Sequence, residues 1–214
     1  MSFPSTAQRL KTERLRLADY LTSLTPPQWE TQSLCAEWLV RDVVAHIILG
    51  FSYTLPMMGK GILRARGNMY QFMGREAQRL GALDPPQLVQ KLRAGAGSTK
   101  TPIGITQEEA LIDLYIHTMD IMLPLGVPAP LNPDQLAFIV DFVANHPHAV
   151  GLRIMNFPRR AKGLHFQAID TGWHYGSGLL VTGPAQDIIL ALTGRKLGLQ
   201  HLSGDGLSTL SQRI

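Results

Sequence analysis

Apolar residues recur at helical spacing through most of the first 145 positions. Leu10, Leu17, Leu21 and Leu24 fall near one face, with Arg9, Lys11, Glu13 and Arg16 largely elsewhere, which predicts a helix over 7–24. Thr25-Pro26-Pro27 ends it, because proline disfavours a helical residue before it. A second helix is predicted from about Trp38 to Tyr53, broken by Pro56 and the Gly59/Gly61 pair, and a third over 62–80. Pro85-Pro86 opens a shorter one to about Leu92. A loop-like GAGSTKTPIG (95–104) precedes a fourth long helix over 106–123, where Thr106 and Glu109 have the spacing of a capping box. A proline-rich connector, PLGVPAPLNP, leads to a fifth helical segment opened by Pro133. After about residue 148 the texture changes. LHFQAI (164–169) and LLVT (179–182) read as short strands joined by the turn-like DTGWHYGSG, AQDIILALTGR (185–195) as an amphipathic helix, and 205–213 as another. Long helices followed by short strands with helices predict a mainly α protein: a helical bundle over 1–148, then a small α+β domain over 149–214.

Composition narrows the function classes. With 45% hydrophobic and 17% charged residues among 214, the chain can bury a core, which excludes a disordered tail. A single cysteine, Cys35, excludes a disulfide framework and any CxxC zinc module, and fits a reducing compartment. The net charge of +4 and pI near 9.4 permit acidic ligands but do not call for nucleic acid. The uncharged run from Val43 to Gly59 falls short of the ~20 residues of a membrane span. The first residues interleave acids with arginines and lack a signal-peptide apolar core. The expectation is a cytoplasmic protein without membrane or nucleic-acid partners, and the pattern is compatible with a homodimer.

Candidate chemistry lies in the histidines within apolar helices. His46 sits in VVAHIIL, where an unpaired imidazole would cost ~1–3 kcal/mol; Asp42, four residues earlier, offers a structural partner. In the fourth helix Asp113 and His117 stand at i, i+4, with Asp120 three residues further on the same side. That spacing suits an intrahelical hydrogen bond. It also suits one side of a divalent metal, completed by a histidine from a facing helix, with a fourth position open for water, substrate or thiol. Cys35 has no histidine near it in sequence and reads as a small buried hydrophobe. No GxSxG, Walker loop or GxGxxG after a strand is present.

Three stretches, SLCAEWLVRDVVAHI, DLYIHTMDIMLPLG and DTGWHYGSGLLVTGPAQDIILALTGR, together resemble the mycothiol-dependent maleylpyruvate isomerase family of the DinB/YfiT-like superfamily. The first is similar to the family's Trp-x-Val-Arg-Asp-x-x-x-His helix through Trp38, Val40, Arg41, Asp42 and His46. The second matches at His117, Asp120, Ile121, Pro124, Leu125 and Gly126, with Asp113 where the family usually carries Glu. The resemblance implies a DinB-like four-helix bundle that holds a divalent metal, usually zinc, on His46, Asp113 and His117. Asp42 and Asp120 are then placed to orient the imidazoles, and Arg195 is the position most similar to a C-terminal arginine used in the family's isomerase reaction. The activity implied is a thiol transferase or isomerase in which the metal activates mycothiol, or a similar thiol, against a small-molecule electrophile. The competing expectation is a DinB-like bundle that binds metal or ligand without catalysis.

Overall fold

The computed structural model describes residues 4–54, 57, 59, 63, 66, 68–146 and 157–214. The chain is mainly α-helical and divides into two compact units, Met1–Ala129 and Pro130–Ile214. In the first unit the helices are α1 (Thr6–Thr22), α2 (Pro26–Trp29), α3 (Val40–Ser52), α4 (Met69–Gly81), α5 (Pro85–Ala94) and α6 (Gln107–Met122). Side-chain caps fix several of their starts. Ser5 and Gln8 exchange hydrogen bonds at the head of α1, and Thr106 and Glu109 do the same at α6, satisfying amide groups that a helix leaves without partners. Of the helix predicted over 62–80, 69–81 is helical, and most of 62–67 lies outside the described residues.

Packing closes four of these helices into a bundle. α1 rests on α5 and α6, α3 rests on the same two, and α4 packs against α3. The consequence for α3 and α6 is near-complete burial: every residue from Val43 to Leu49 and from Leu114 to Met122 is buried. Arg14 of α1 is buried too, with its guanidinium 4.6 Å over the Phe51 ring and donating to the carbonyls of Ala96 (3.3 Å) and Ser98 (2.7 Å). Burial lowers its pKa to about 10, which leaves it charged at neutral pH. Gly81, at the end of α4, lies so close to the start of α3 that a Cβ there would meet the Asp42 carboxylate at 2.4 Å.

The second unit is α+β. Asn132 and Gln135 cap α7 (Pro133–Asn145), with Pro133 in its first turn. Then come α8 (Phe157–Ala161), β1 (Leu164–Ala168), β2 (His174–Gly176), β3 (Leu179–Gly183), α9 (Ala185–Leu192) and α10 (Leu207–Ser211), with a 3-10 turn at Lys196–Leu199. β1 is central, antiparallel to β2 and parallel to β3, with His165 opposite both Gly176 and Leu180. Strand β2 lies within the segment read as a turn. The sheet buries Leu164, Phe166, Ala168 and Val181 on the side where α9 packs. α7 also packs against α9, so the division falls at Ala129 rather than near residue 148, where the change of texture drew it. His146, at the end of α7, approaches the Phe142 carbonyl at 3.2 Å, while His148 lies outside the described residues.

Candidate metal site

Helices α3 and α6 each carry one histidine into the interior of the bundle. His46 is 8% exposed and His117 7%, and their rings meet edge to face with centroids 4.7 Å apart. Asp113, one turn before His117 on α6, lies between them. Its Oδ1 is 3.3 Å from His117 Nε2 and its Oδ2 is 3.5 Å from His46 Nε2. The aspartate is therefore long enough to meet both imidazoles directly, although the resembling family usually has a longer acid here. The Asp113 side chain is 45% exposed, so the cluster is reached from solvent at this carboxylate. Trp38 walls it, with ring centroids 5.0 Å from His46 and 6.2 Å from His117.

The nitrogens turned away from Asp113 are treated differently. His117 Nδ1 lies 2.8 Å from Oδ2 of Asp120, a carboxylate that is 0% exposed. His46 Nδ1 is buried and has no hydrogen-bond partner among the described residues. Asp42 does not fill that place. Its Oδ2 accepts the Leu39 N–H at 3.0 Å, capping α3, and burial raises the pKa of this carboxyl despite that bond and the neighbouring Arg41. The sequence-based pairing of Asp42 with His46 is thus replaced by a helix cap. Cys35, read from the sequence as an apolar filler, donates its S–H to Asp120 Oδ2 at 3.2 Å. Only the tertiary fold brings it there.

Electrostatics follow from this crowding. Burial alone would raise the Asp113 pKa, but His117 and His46 outweigh it and hold the carboxyl well below the usual range. Burial alone would lower His117, but Asp113, then Asp120 and Cys35, hold it well above the ordinary imidazole value. Among protein groups alone, the arrangement keeps a positive charge beside Asp113.

The donor set fits a divalent cation. With the proton of a neutral His117 on Nδ1 and donated to Asp120 Oδ2, the ring turns its Nε2 lone pair toward the Asp113 carboxylate; the two acceptors are reconciled by a second proton or a cation. Tetrahedral ligands on bonds of ~2.0–2.1 Å stand about 3.3–3.4 Å apart. The Asp113–histidine separations of 3.3 and 3.5 Å are close to that spacing, and all three donor atoms lie within 4.8 Å of one another. Cys35, His117 and Asp120 also cluster within 4.8 Å, but there the distances are those of hydrogen bonds. Arg195 belongs to the second unit, where it is 8% exposed and donates to the Thr193 carbonyl at 2.6 Å.

A family model described as the mycothiol maleylpyruvate isomerase N-terminal domain matches residues 10–121, just over half of the chain. Two similar solved structures are crystal structures of the mycothiol-dependent maleylpyruvate isomerase, one a histidine-to-alanine mutant. They superpose with TM-scores of 0.60 for the mutant and 0.56 for the other. Each is 12% identical, and the match covers 94% of this chain and 91% of that one, which establishes a shared fold. A search of curated proteins finds no match. No helix among the described residues is long and apolar enough to cross a membrane.

Proposed function

The chain belongs to the mycothiol maleylpyruvate isomerase N-terminal domain family, and on that premise we propose that it is a metal-dependent thiol transferase or isomerase acting with mycothiol or a similar small thiol. The observation that carries this reading is the convergence of His46, Asp113 and His117 at a spacing suited to a divalent cation, with zinc the best match to two imidazoles and a carboxylate. When bound, such a cation lowers the pKa of a coordinated thiol, so that thiolate is available at neutral pH.

The protein's own groups have distinct parts in this reading. His46 and His117 present Nε2 atoms, and Asp113 adds a carboxylate. Asp120 holds the Nδ1 proton of His117, which fixes the ring and keeps Nε2 facing the site. Trp38 covers the two imidazoles with apolar surface. The half-exposed edge at Asp113 is the approach for thiol and electrophile. Arg195, carried by resemblance alone, is the candidate partner for an anionic group of the electrophile. The reaction class is reversible thiol addition to an activated double bond, with rotation about the resulting single bond and loss of the thiol giving the isomer, or displacement by the thiolate at a carbon whose leaving group departs with the electron pair. The single cysteine suits a reducing, cytoplasmic setting.

The test is metal content of protein purified without chelator, followed by turnover of an activated alkene. Near-stoichiometric zinc is expected in the wild type and its loss in His46→Ala, with electrophile consumed only when metal and thiol are both supplied. Wild-type protein that stays metal-free after incubation with zinc would overturn the metal reading. Zinc bound without any thiol-dependent rate would make the protein a non-catalytic metal-binding bundle.

A further inference from the structure

Cys35 lies 82 residues from His117 in sequence and has no part in the donor set just described, yet the segment around it is built to deliver it there. The Cys35 carbonyl accepts from Gln32 Nε2 (2.8 Å) and from the Trp38 N–H (3.0 Å), while its own N–H donates to Ser33 Oγ (3.1 Å). Ser33 Oγ in turn donates to the Trp38 carbonyl at 2.6 Å. The Leu34 N–H then ties this turn to α6 by donating to the backbone carbonyl of Asp120 at 3.2 Å. One turn thereby supplies both the Trp38 ring against the imidazoles and the Cys35 thiol against the carboxylate behind His117.

At that carboxylate a single oxygen, Asp120 Oδ2, accepts from His117 Nδ1 at 2.8 Å and from Cys35 Sγ at 3.2 Å, with Sγ 3.9 Å from Nδ1. A buried carboxylate oxygen with two donors on it has little freedom to rotate. We propose that Cys35 is a positioning residue: its S–H fixes the Asp120 carboxylate in the orientation that holds the His117 ring, and so sets how well His117 Nε2 serves a metal. The proposal rests on the metal reading above for its effect on affinity, but not for the hydrogen bond itself.

Two distances separate this role from direct ligation. The thiol meets Asp120 at hydrogen-bond range, and it faces Nδ1 of His117 rather than the Nε2 that looks toward Asp113 and His46. A ligand to the same cation would have to reach the other edge of the ring.

The experiment measures zinc affinity by chelator competition for wild type, Cys35→Ala and Cys35→Ser, with the side-chain Nδ1–H resonance of His117 followed by NMR in all three. Loss of the thiol donor in Cys35→Ala should weaken zinc roughly tenfold, the lower end for groups that support a metal ligand. It should also speed solvent exchange of the Nδ1 proton. Cys35→Ser, which keeps a donor of similar size, should restore both. Equal affinity and equal exchange in Cys35→Ala would overturn the proposal. So would a sulfur-to-metal charge-transfer band in the cobalt-substituted wild type that disappears in Cys35→Ser, because Cys35 would then be a ligand. If wild type takes up no zinc, the metal reading fails by itself. The exchange of the Nδ1 proton still decides the role of Cys35, with faster exchange in Cys35→Ala supporting it and unchanged exchange overturning it.

Discussion

α3 and α6 bring their histidines to Asp113 in nearly symmetrical fashion and support them in opposite ways. On α6, His117 is held from behind by Asp120, which is itself held by Cys35. On α3, His46 has apolar neighbours in sequence, a buried Nδ1 without a partner among the described residues, and an acid one turn earlier that is engaged in capping the helix. Both rings meet Asp113, but one is backed by a hydrogen bond and the other by packing. A ring backed only by packing can adjust to a ligand, while a ring backed by a buried carboxylate sets the direction the ligand must take.

The largest expected contrast is between the two alanine variants. His117→Ala leaves Asp120 buried without its main donor, so it should destabilise the fold by about 3 kcal/mol as well as abolish metal binding. His46→Ala abolishes binding equally but removes no protein hydrogen bond at Nδ1, so its cost should be nearer ~1 kcal/mol. Denaturant titration of the metal-free proteins checks this, and equal losses would erase the contrast. Asp120→Asn should come next. It keeps the shape but weakens the support of His117, and zinc affinity should drop ~10–100-fold, measured by competition, with the secondary structure unchanged.

The smallest effect is expected at the end of α3, where Tyr53 repeats the theme of burial without a polar partner. Its hydroxyl is buried without a hydrogen-bond partner among the described residues, and burial, assisted by Glu76 and opposed by Arg79, pushes its pKa up to about 12. A tyrosine in the unfolded chain ionises near pH 10, so the folded form binds the proton more tightly. That contribution to stability is complete below pH 10 and is lost as pH rises from 10 through 12. Tyr53→Phe should flatten the alkaline loss and raise stability at neutral pH by up to about 1 kcal/mol. Melting curves at pH 8 and above 10 give both numbers, and an unchanged alkaline slope would show that Tyr53 is not its source.

Much of the bundle was legible because its signals are local. Thr106 and Glu109, Pro26-Pro27 and Pro133 mark helix ends through the chemistry of a few adjacent residues. The pairing of His117 with Asp113 and Asp120 was legible for the same reason, being fixed by helical spacing. His46 and Asp42 show the limit of that logic, since both lie on one helix face but Asp42 is in its first turn, where unsatisfied amide groups compete for it. Cys35 was illegible because its partners are brought to it only by tertiary packing. β2 is three residues long and pairs through the backbone, with no apolar alternation to reveal it. The assignment of α7 depends on what it packs against, which periodicity does not contain.

Asp113 has one more consequence, for how the bundle breathes. Its contact with His117 lies within one helix and closes only a single turn. Its contact with His46 joins segments of chain that have all of α4 and α5 between them, and so closes a long loop. The entropy lost in closing a loop rises only slowly with its length, and the packing of α3 on α6 shares this closure with the clasp. Whatever occupies the space among His46, Asp113 and His117 therefore governs more than local chemistry. It adds to the packing that already holds α3 on α6, and amide exchange in α4 and α5 with and without zinc should read how much.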